Sequence, residues 1–194
     1  MPISREFFKR DTTVAARELV GHILVRKTAE GIRRGIIVET EAYLGKSDPA
    51  AHSYKGSEER TRVLYGEKGC AYIYLIYGMY SCLNISSGDG ENPECILIRA
   101  LEPMDGINIM STARKTDKVK NLCSGPGKLC MAMDIDRSLY GADLCDDASE
   151  IYIEEGAPLE TEASPSINID YAGEAAKWQL RFTAVNNPYV SKRP

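Results

Sequence analysis

Histidine, tryptophan and phenylalanine are scarce in this 194-residue chain, at two, one and three residues. Six cysteines occur (Cys70, Cys82, Cys95, Cys123, Cys130 and Cys145), yet no two are spaced as Cys-x-x-Cys, and only His22 and His52 stand by to complete a ligand set. That spacing does not indicate a zinc site, and no metal is expected. The thiols read instead as small buried side chains in a reducing compartment. No apolar run approaches membrane-spanning length. The opening residues, Met1-Pro2-Ile3-Ser4-Arg5-Glu6, form no apolar signal region, so a cytoplasmic protein is expected. Internal repeats and low-complexity segments are absent. The stretch Ser124-Gly125-Pro126-Gly127-Lys128 has a Gly-rich look but not the spacing of a Walker motif, which argues against nucleotide hydrolysis. A Gly-rich turn that opens a helix and carries a lysine can still hold one backbone phosphate; the bland alternative is an ordinary helix start.

The length suits one domain, residues 1–194, with a substantial core. The net charge is −4, but it is unevenly spread. Asp134 to Glu174 contains twelve acidic residues and a single basic one, Arg137; of the totals of 28 acidic and 24 basic, this leaves 16 and 23 elsewhere. A basic face with an acidic rear is compatible with phosphate binding, although a solvated acidic surface would look the same.

Periodicity and punctuation set the expected secondary structure. Asp11 reads as a helix N-cap, with a helix stopping near Gly21. Strands are expected over 22–27 and 34–43, joined by a turn at Ala29-Glu30-Gly31, and a polar loop over 44–62. Further strands fall at 70–77, 80–86 and 94–101, the last closed by Glu102-Pro103. Helices are expected over 104–114 and after Gly127, with short strands at 151–154 and 179–185. Together these predict an α+β fold: one domain with a mainly antiparallel sheet, surrounding helices and a protruding, tyrosine-bearing β-hairpin.

Tyrosine is abundant, at eleven residues, and four of them crowd into Tyr72-Ile73-Tyr74-Leu75-Ile76-Tyr77-Gly78-Met79-Tyr80. Gly78-Met79 suits a two-residue type II′ turn flanked by Tyr77 and Tyr80. Flat amphipathic rings on a hairpin tip suit stacking, which makes nucleic acid the first partner to consider. In Glu39-Thr40-Glu41-Ala42-Tyr43 the two carboxylates and the phenol share the two-residue period and hence one strand face. They fit either a general base or a solvated strand edge. Arg99 interrupts the apolar run Cys95-Ile96-Leu97-Ile98 and needs a carboxylate or phosphate partner. Asn84, in Cys82-Leu83-Asn84-Ile85, needs partners from backbone or ligand. His52 lies in the polar loop, where a lone histidine is usually a surface residue.

These pieces, taken with Val38–Gly45, Ala50-Ala51-His52-Ser53, Asn84-Ile85-Ser86-Ser87, Leu97–Pro103 and Leu122–Cys130, resemble the alkyladenine (3-methyladenine) DNA glycosylases of the mammalian type. The likeness runs from about Phe7 to Val190 and suggests a minimal, bacterial version. It implies Glu41 as the general base that activates water and Arg99 as the arginine holding the flipped nucleotide's phosphate and the catalytic water. Tyr43, His52 and Tyr74 would line the pocket and sandwich the base. Asn84 would disfavour guanine's amino group, and Tyr77 would fill the gap left in the duplex. Arg60 would contact the DNA backbone, with Lys128 as a second backbone contact at the Gly-rich turn. Tyr72 and Tyr80 would be scaffold.

No lysine falls within the pocket motifs, so a Schiff-base route is not indicated, and a monofunctional enzyme without cofactor is implied. The partner would be double-stranded DNA with alkylated, deaminated or etheno purines, the protein a monomer. Where the mammalian members have Thr-Pro-Arg-Asn this chain has Glu58-Glu59-Arg60-Thr61-Arg62, which adds negative charge beside the DNA path. Two other readings stand: a lesion-sensing or RNA-binding module that has lost catalysis, and a carbohydrate-directed glycosidase using Glu39 and Glu41 as an acid/base pair.

Overall fold

Asp11 accepts a hydrogen bond from the Val14 amide at 2.9 Å and so starts helix α1 (Thr12–Glu18), as its position before an apolar run predicts. The computed structural model describes residues 1–192. After α1 come β1 (Ile23–Thr28) and β2 (Gly31–Tyr43), then β3 (Ala71–Ile76), β4 (Tyr80–Ser87) and β5 (Glu94–Asp105). Helices α2 (Ile107–Arg114) and α3 (Pro126–Met133) follow, then β6 (Ile151–Glu154), β7 (Thr161–Ser164) and β8 (Arg181–Ala184). The strands form one antiparallel sheet in the order β3-β4-β5-β2-β1-β6, and β8 joins β2 on one side and β7 on the other. The α+β class with a mainly antiparallel sheet is thus as predicted. Among the described residues no helix is long and apolar enough to cross a membrane.

β2 organises the sheet. One edge pairs with β5 along nearly its whole length; the other pairs with β1 over its first half and with β8 at Glu39–Glu41. The β2–β5 ladder slips three times, once beside Gly35 and twice in succession further on: Ile37 faces Leu101, Glu39 faces Ala100, and Thr40 faces Ile98. Val38 and Arg99 are therefore the extra residues of two adjacent bulges, a device that re-aims side chains beside functional sites. The slip is what lets an arginine sit in an apolar strand. The core packs α1 through Ala15, Ala16 and Leu19, and α3 through Leu129, Cys130 and Met133, against Leu24, Ile37, Leu83, Ile96 and Ile98 of the sheet.

Several expectations need correction. β5 does not close at Glu102-Pro103 but runs to Asp105; Pro103 is tolerated because it faces Gly35 beside a register shift. The helix expected from Met104 starts at Ile107, because Gly106 (φ 74°) makes a left-handed turn where a Cβ would meet the Ile32 carbonyl at 2.6 Å. The polar loop contains 3₁₀ turns at Gly45–Ser47 and Glu59–Tyr65. β7 and the 3₁₀ segment Asp170–Lys177 were not foreseen.

The hairpin turn also differs. Ile76 pairs with Tyr80, and the Met79 amide donates to the Ile76 carbonyl at 3.2 Å. The central residues are therefore Tyr77 and Gly78 rather than Gly78 and Met79, both with positive φ (53° and 69°). A turn with two left-handed central residues matches the strand twist, and it forces that conformation on a tyrosine.

Candidate active site

The hairpin β3–β4, the β5 strand beneath it, the start of α3 and the loop after β7 enclose a cleft of about 860 Å³. Sheet order explains the arrangement. At Glu39–Tyr43 the strands run β3-β4-β5-β2-β8-β7, so the hairpin bounds one side and the loop after β7, residues 167–171, bounds the other. Tyr43, His52, Arg60, Tyr74, Tyr77, Asn84, Arg99 and Lys128 all line this cleft. Glu41 does not. It lies immediately behind Tyr43, Arg99 and Ile167 with no exposed surface.

Every donor that holds Glu41 comes from a different part of the wall. The Tyr43 hydroxyl donates to Oε2 at 2.8 Å, Arg99 Nη1 to Oε2 at 3.3 Å, and the Ile167 amide to Oε1 at 2.9 Å. Burial raises the Glu41 pKa and is the largest influence; Arg99, the Ile167 amide and the Tyr43 hydroxyl pull it back, and the net value lies above that of an ordinary carboxylate. Tyr43 moves the same way, well up, through burial and the neighbouring Glu41 charge, so its phenol stays a donor. A carboxylate held in this way is a stronger base than one in water, and its orientation is fixed.

His52 is not a surface residue. Its Nδ1 lies 2.8 Å from the Tyr72 hydroxyl, and its ring meets Tyr74 edge-on, with centroids 4.4 Å apart. Burial, helped by Arg60, lowers its pKa to about 4, so the ring is neutral at physiological pH. Asn84 is buried, with Nδ2 donating to the carbonyls of Tyr72 (3.2 Å) and Cys82 (3.4 Å). This locks the amide and answers the need for partners from within the hairpin. Tyr77 is 79% exposed at the rim.

Arg60 sits at the mouth but is tied to Glu58 at 2.8 Å, so the charge noted in the sequence does fall on the backbone-contact candidate. An exposed pair of this kind is held by only about 0–1 kcal/mol and can be exchanged for a phosphate. Lys128 lies near Ser124 Oγ, at 3.3 Å, on the first turn of α3.

Glu39 shares the Glu41 face, as the two-residue period predicts, but it is sealed by Arg99, Arg181 and Ser191 and does not reach the cleft. Whereas all three partners of Glu41 line the cleft, Arg181 and Ser191 lie outside it, so Glu39 is not placed as the second carboxylate of a carbohydrate-directed pair. All six cysteines are free thiols; Cys82 and Cys95 line the cleft, where burial raises their pKa and keeps them protonated. Among the described residues no group of three or more His, Cys, Asp or Glu could hold a metal ion.

Sequence reasoning missed four contributors to the site. Tyr72 and Tyr80, both read as scaffold, line the cleft, and a Cβ at Gly127 would meet the Tyr80 ring at 3.3 Å. Ile167 contributes through its backbone amide, which no side-chain pattern reveals. Tyr171, 71% exposed with its hydroxyl on the Ala50 carbonyl at 3.2 Å, belongs to the acidic stretch that looked like a rear surface. An aromatic between Ile169 and Ala172, beside Gly173, was the one available signal.

The sequence profile of the methylpurine-DNA glycosylases matches residues 6–188. The chain belongs to that family. Its relatives include proteins named "Putative 3-methyladenine DNA glycosylase" in Methanocella arvoryzae, 49% identical over all of this chain and 98% of the relative, and in Bacillus mycoides, 48% identical over 96% and 97%. A third, of the same name in Clostridium botulinum, is 42% identical over the full length of both chains. The family resemblance read from the tyrosine hairpin, the Glu41 strand and the Gly-rich turn is borne out, and with it the assignment to the DNA glycosylases.

Proposed function

We propose that this family member extrudes N-alkylated purines, 3-methyladenine first among them, from double-stranded DNA and hydrolyses the N-glycosidic bond with a water activated by Glu41. The observation that carries the reading is a wholly buried carboxylate of raised proton affinity, braced by Arg99 directly behind an aromatic-walled cleft. In the proposed step the water oxygen bonds to C1′ and its proton passes to Glu41. The C1′–N bond breaks and its electron pair neutralises the cationic purine, which leaves. The buried carboxylate also stabilises the oxocarbenium-like sugar. Only water and protein side chains are required.

The walls fit such a base. Aromatic faces attract a cationic ring, and a neutral His52 does not repel it. Asn84, held by its two backbone contacts, stands rigidly against the purine edge and discriminates against guanine by leaving no room for its amino group. Extrusion costs a few kcal/mol, which Tyr77 recovers in part by stacking in the vacated position. Its left-handed backbone, a strain on the order of 1 kcal/mol, persists with the ring held out at the rim. Arg60 and Lys128 supply backbone contacts. Residues 1–194 act as one glycosylase domain, and a monomer suffices for this route. Deaminated and etheno-bridged purines share the flat shape and are the next substrates to try.

The test is to incubate the protein with methylated duplex DNA and quantify free base by chromatography and abasic sites by alkali cleavage. Release of 3-methyladenine with matching abasic sites is expected. Tight DNA binding with no base released would instead establish a lesion-binding module. Tyr77→Ser should weaken lesion-duplex binding by about 5–150-fold, the equivalent of about 1–3 kcal/mol of lost stacking. Lesion-bearing single strands, which leave no hole to fill, should bind unchanged.

A further inference from the structure

Glu39 precedes Glu41 by two residues, has no exposed surface and does not line the cleft, yet it is the most heavily hydrogen-bonded carboxylate of the site. Its Oε1 accepts from Arg99 Nε at 2.9 Å, Arg181 Nε at 2.8 Å and Ser191 Oγ at 2.8 Å. Its Oε2 accepts from the Ser191 amide at 2.6 Å. Arg181, on β8, also donates to Ser164 Oγ at 3.3 Å and to the Lys192 carbonyl. The far end of the Arg99 guanidinium reaches Glu41. Two carboxylates and two guanidiniums thus alternate through the sheet, and the segment at Ser191 closes the network from the C-terminal side.

Burying four charges is costly, and apolar replacements of such networks are often neutral or stabilising. Stability alone is therefore a weak reason for this one. We propose that Glu39, latched by Arg181 and Ser191, is a positioning residue that aims the Arg99 guanidinium at Glu41. The inference rests on the reading of Glu41 as the general base. Two hydrogen bonds from one guanidinium, Nε to Glu39 and Nη1 to Glu41, leave Arg99 little freedom to swing into the cleft.

The network also sets the charge that Glu41 feels. The ionisable groups around Glu41 are Arg99 from β5, Glu39 and Tyr43 from β2, Arg181 opposite it on β8, Cys82 from β4 and Tyr171 from the loop after β7. Burial keeps the thiol and both phenols protonated, so the charged ones are Arg99, which lowers the Glu41 pKa, Glu39, which raises it, and Arg181, whose charge is paired with Glu39. Neutralising Glu39 leaves Glu41 facing Arg99 without the opposing charge.

The test is the pH profile of kcat/KM for 3-methyladenine release, measured beside Glu41→Gln. Glu39→Gln should displace the acid limb to lower pH, so that the ratio of kcat/KM at pH ~5 to that at pH ~7.5 exceeds wild type. Ser191→Ala keeps every charge; it should lower kcat several-fold with the acid limb and KM unmoved, and Ser191→Thr should restore the rate. A wild-type limb in Glu39→Gln, or a wild-type kcat in Ser191→Ala should the first variant fail to fold, overturns the proposal. Base release that survives in Glu41→Gln would instead remove the general-base reading itself, so the two failures are distinguishable.

Discussion

Replacing Glu41 by glutamine is expected to slow 3-methyladenine release by about 10²–10⁴-fold, the usual contribution of a positioned general base, while duplex binding is retained. The expectation follows from where the carboxylate sits. It is behind the wall of the cleft, so it contributes little to binding, and its effect falls on the chemical step. Glutamine keeps the shape and one acceptor for the Ile167 amide or for Arg99 and Tyr43, but it cannot take the proton of water. Single-turnover kinetics at saturating enzyme separate the two effects, because the rate should fall with little change in the half-saturating concentration.

The wild-type rate should also fall as pH drops through the Glu41 pKa, which lies above the ordinary carboxylate value. His52 is not the source of that limb, since it remains neutral down to about pH 4. Glu41→Gln should lose the limb along with the rate. A variant that keeps both would show that another group activates the water.

Much of this site was legible in the sequence, because its residues violate local expectation. A carboxylate pair after Ile36-Ile37-Val38, an arginine within Cys95–Leu101 and an amide within Cys82–Ile85 are all costly to bury without partners, and each proved to be buried and partnered. Strand periodicity placed Glu39, Glu41 and Tyr43 on one face, which the hydrogen bond from Tyr43 to Glu41 and the shared Arg99 confirm.

What was not legible depends on contacts between residues distant in sequence. Whether Glu39 faces solvent, substrate or an ion pair is decided by Arg181 and Ser191, each more than a hundred positions away. The double bulge that turns Arg99 towards both carboxylates is a register fact and leaves no mark in either strand's own pattern. The turn was misplaced by one residue because glycine usually takes the strained position, whereas here Tyr77 shares it. Propensity penalises that choice; the stacking role proposed for Tyr77 would account for it.

Arg99→Met should destabilise the fold by about 3–5 kcal/mol at neutral pH, a large share of the roughly 5–15 kcal/mol available to a protein of this kind. Methionine fills much of the same volume, so the loss is one of charge compensation. Glu39 would keep Arg181 and Ser191, but Glu41 would retain only the Tyr43 hydroxyl and the Ile167 amide. Without the strongest opposing influence, burial would drive the Glu41 pKa further up.

A carboxyl group whose folded pKa is raised is favourable to folding at low pH, where it is neutral. It loses that advantage as pH climbs through the folded value. The deficit of Arg99→Met relative to wild type should therefore be largest near pH ~8 and shrink towards pH ~5, as urea unfolding at the two pH values would show. An equal deficit at both would place the cost in packing and sink the charge argument. The acid limb of any residual activity should move to higher pH, opposite in direction to Glu39→Gln. Opposite displacements are what the geometry requires, because Arg99 and Glu39 act on the same carboxylate with opposite charge, and a purely structural defect would give neither.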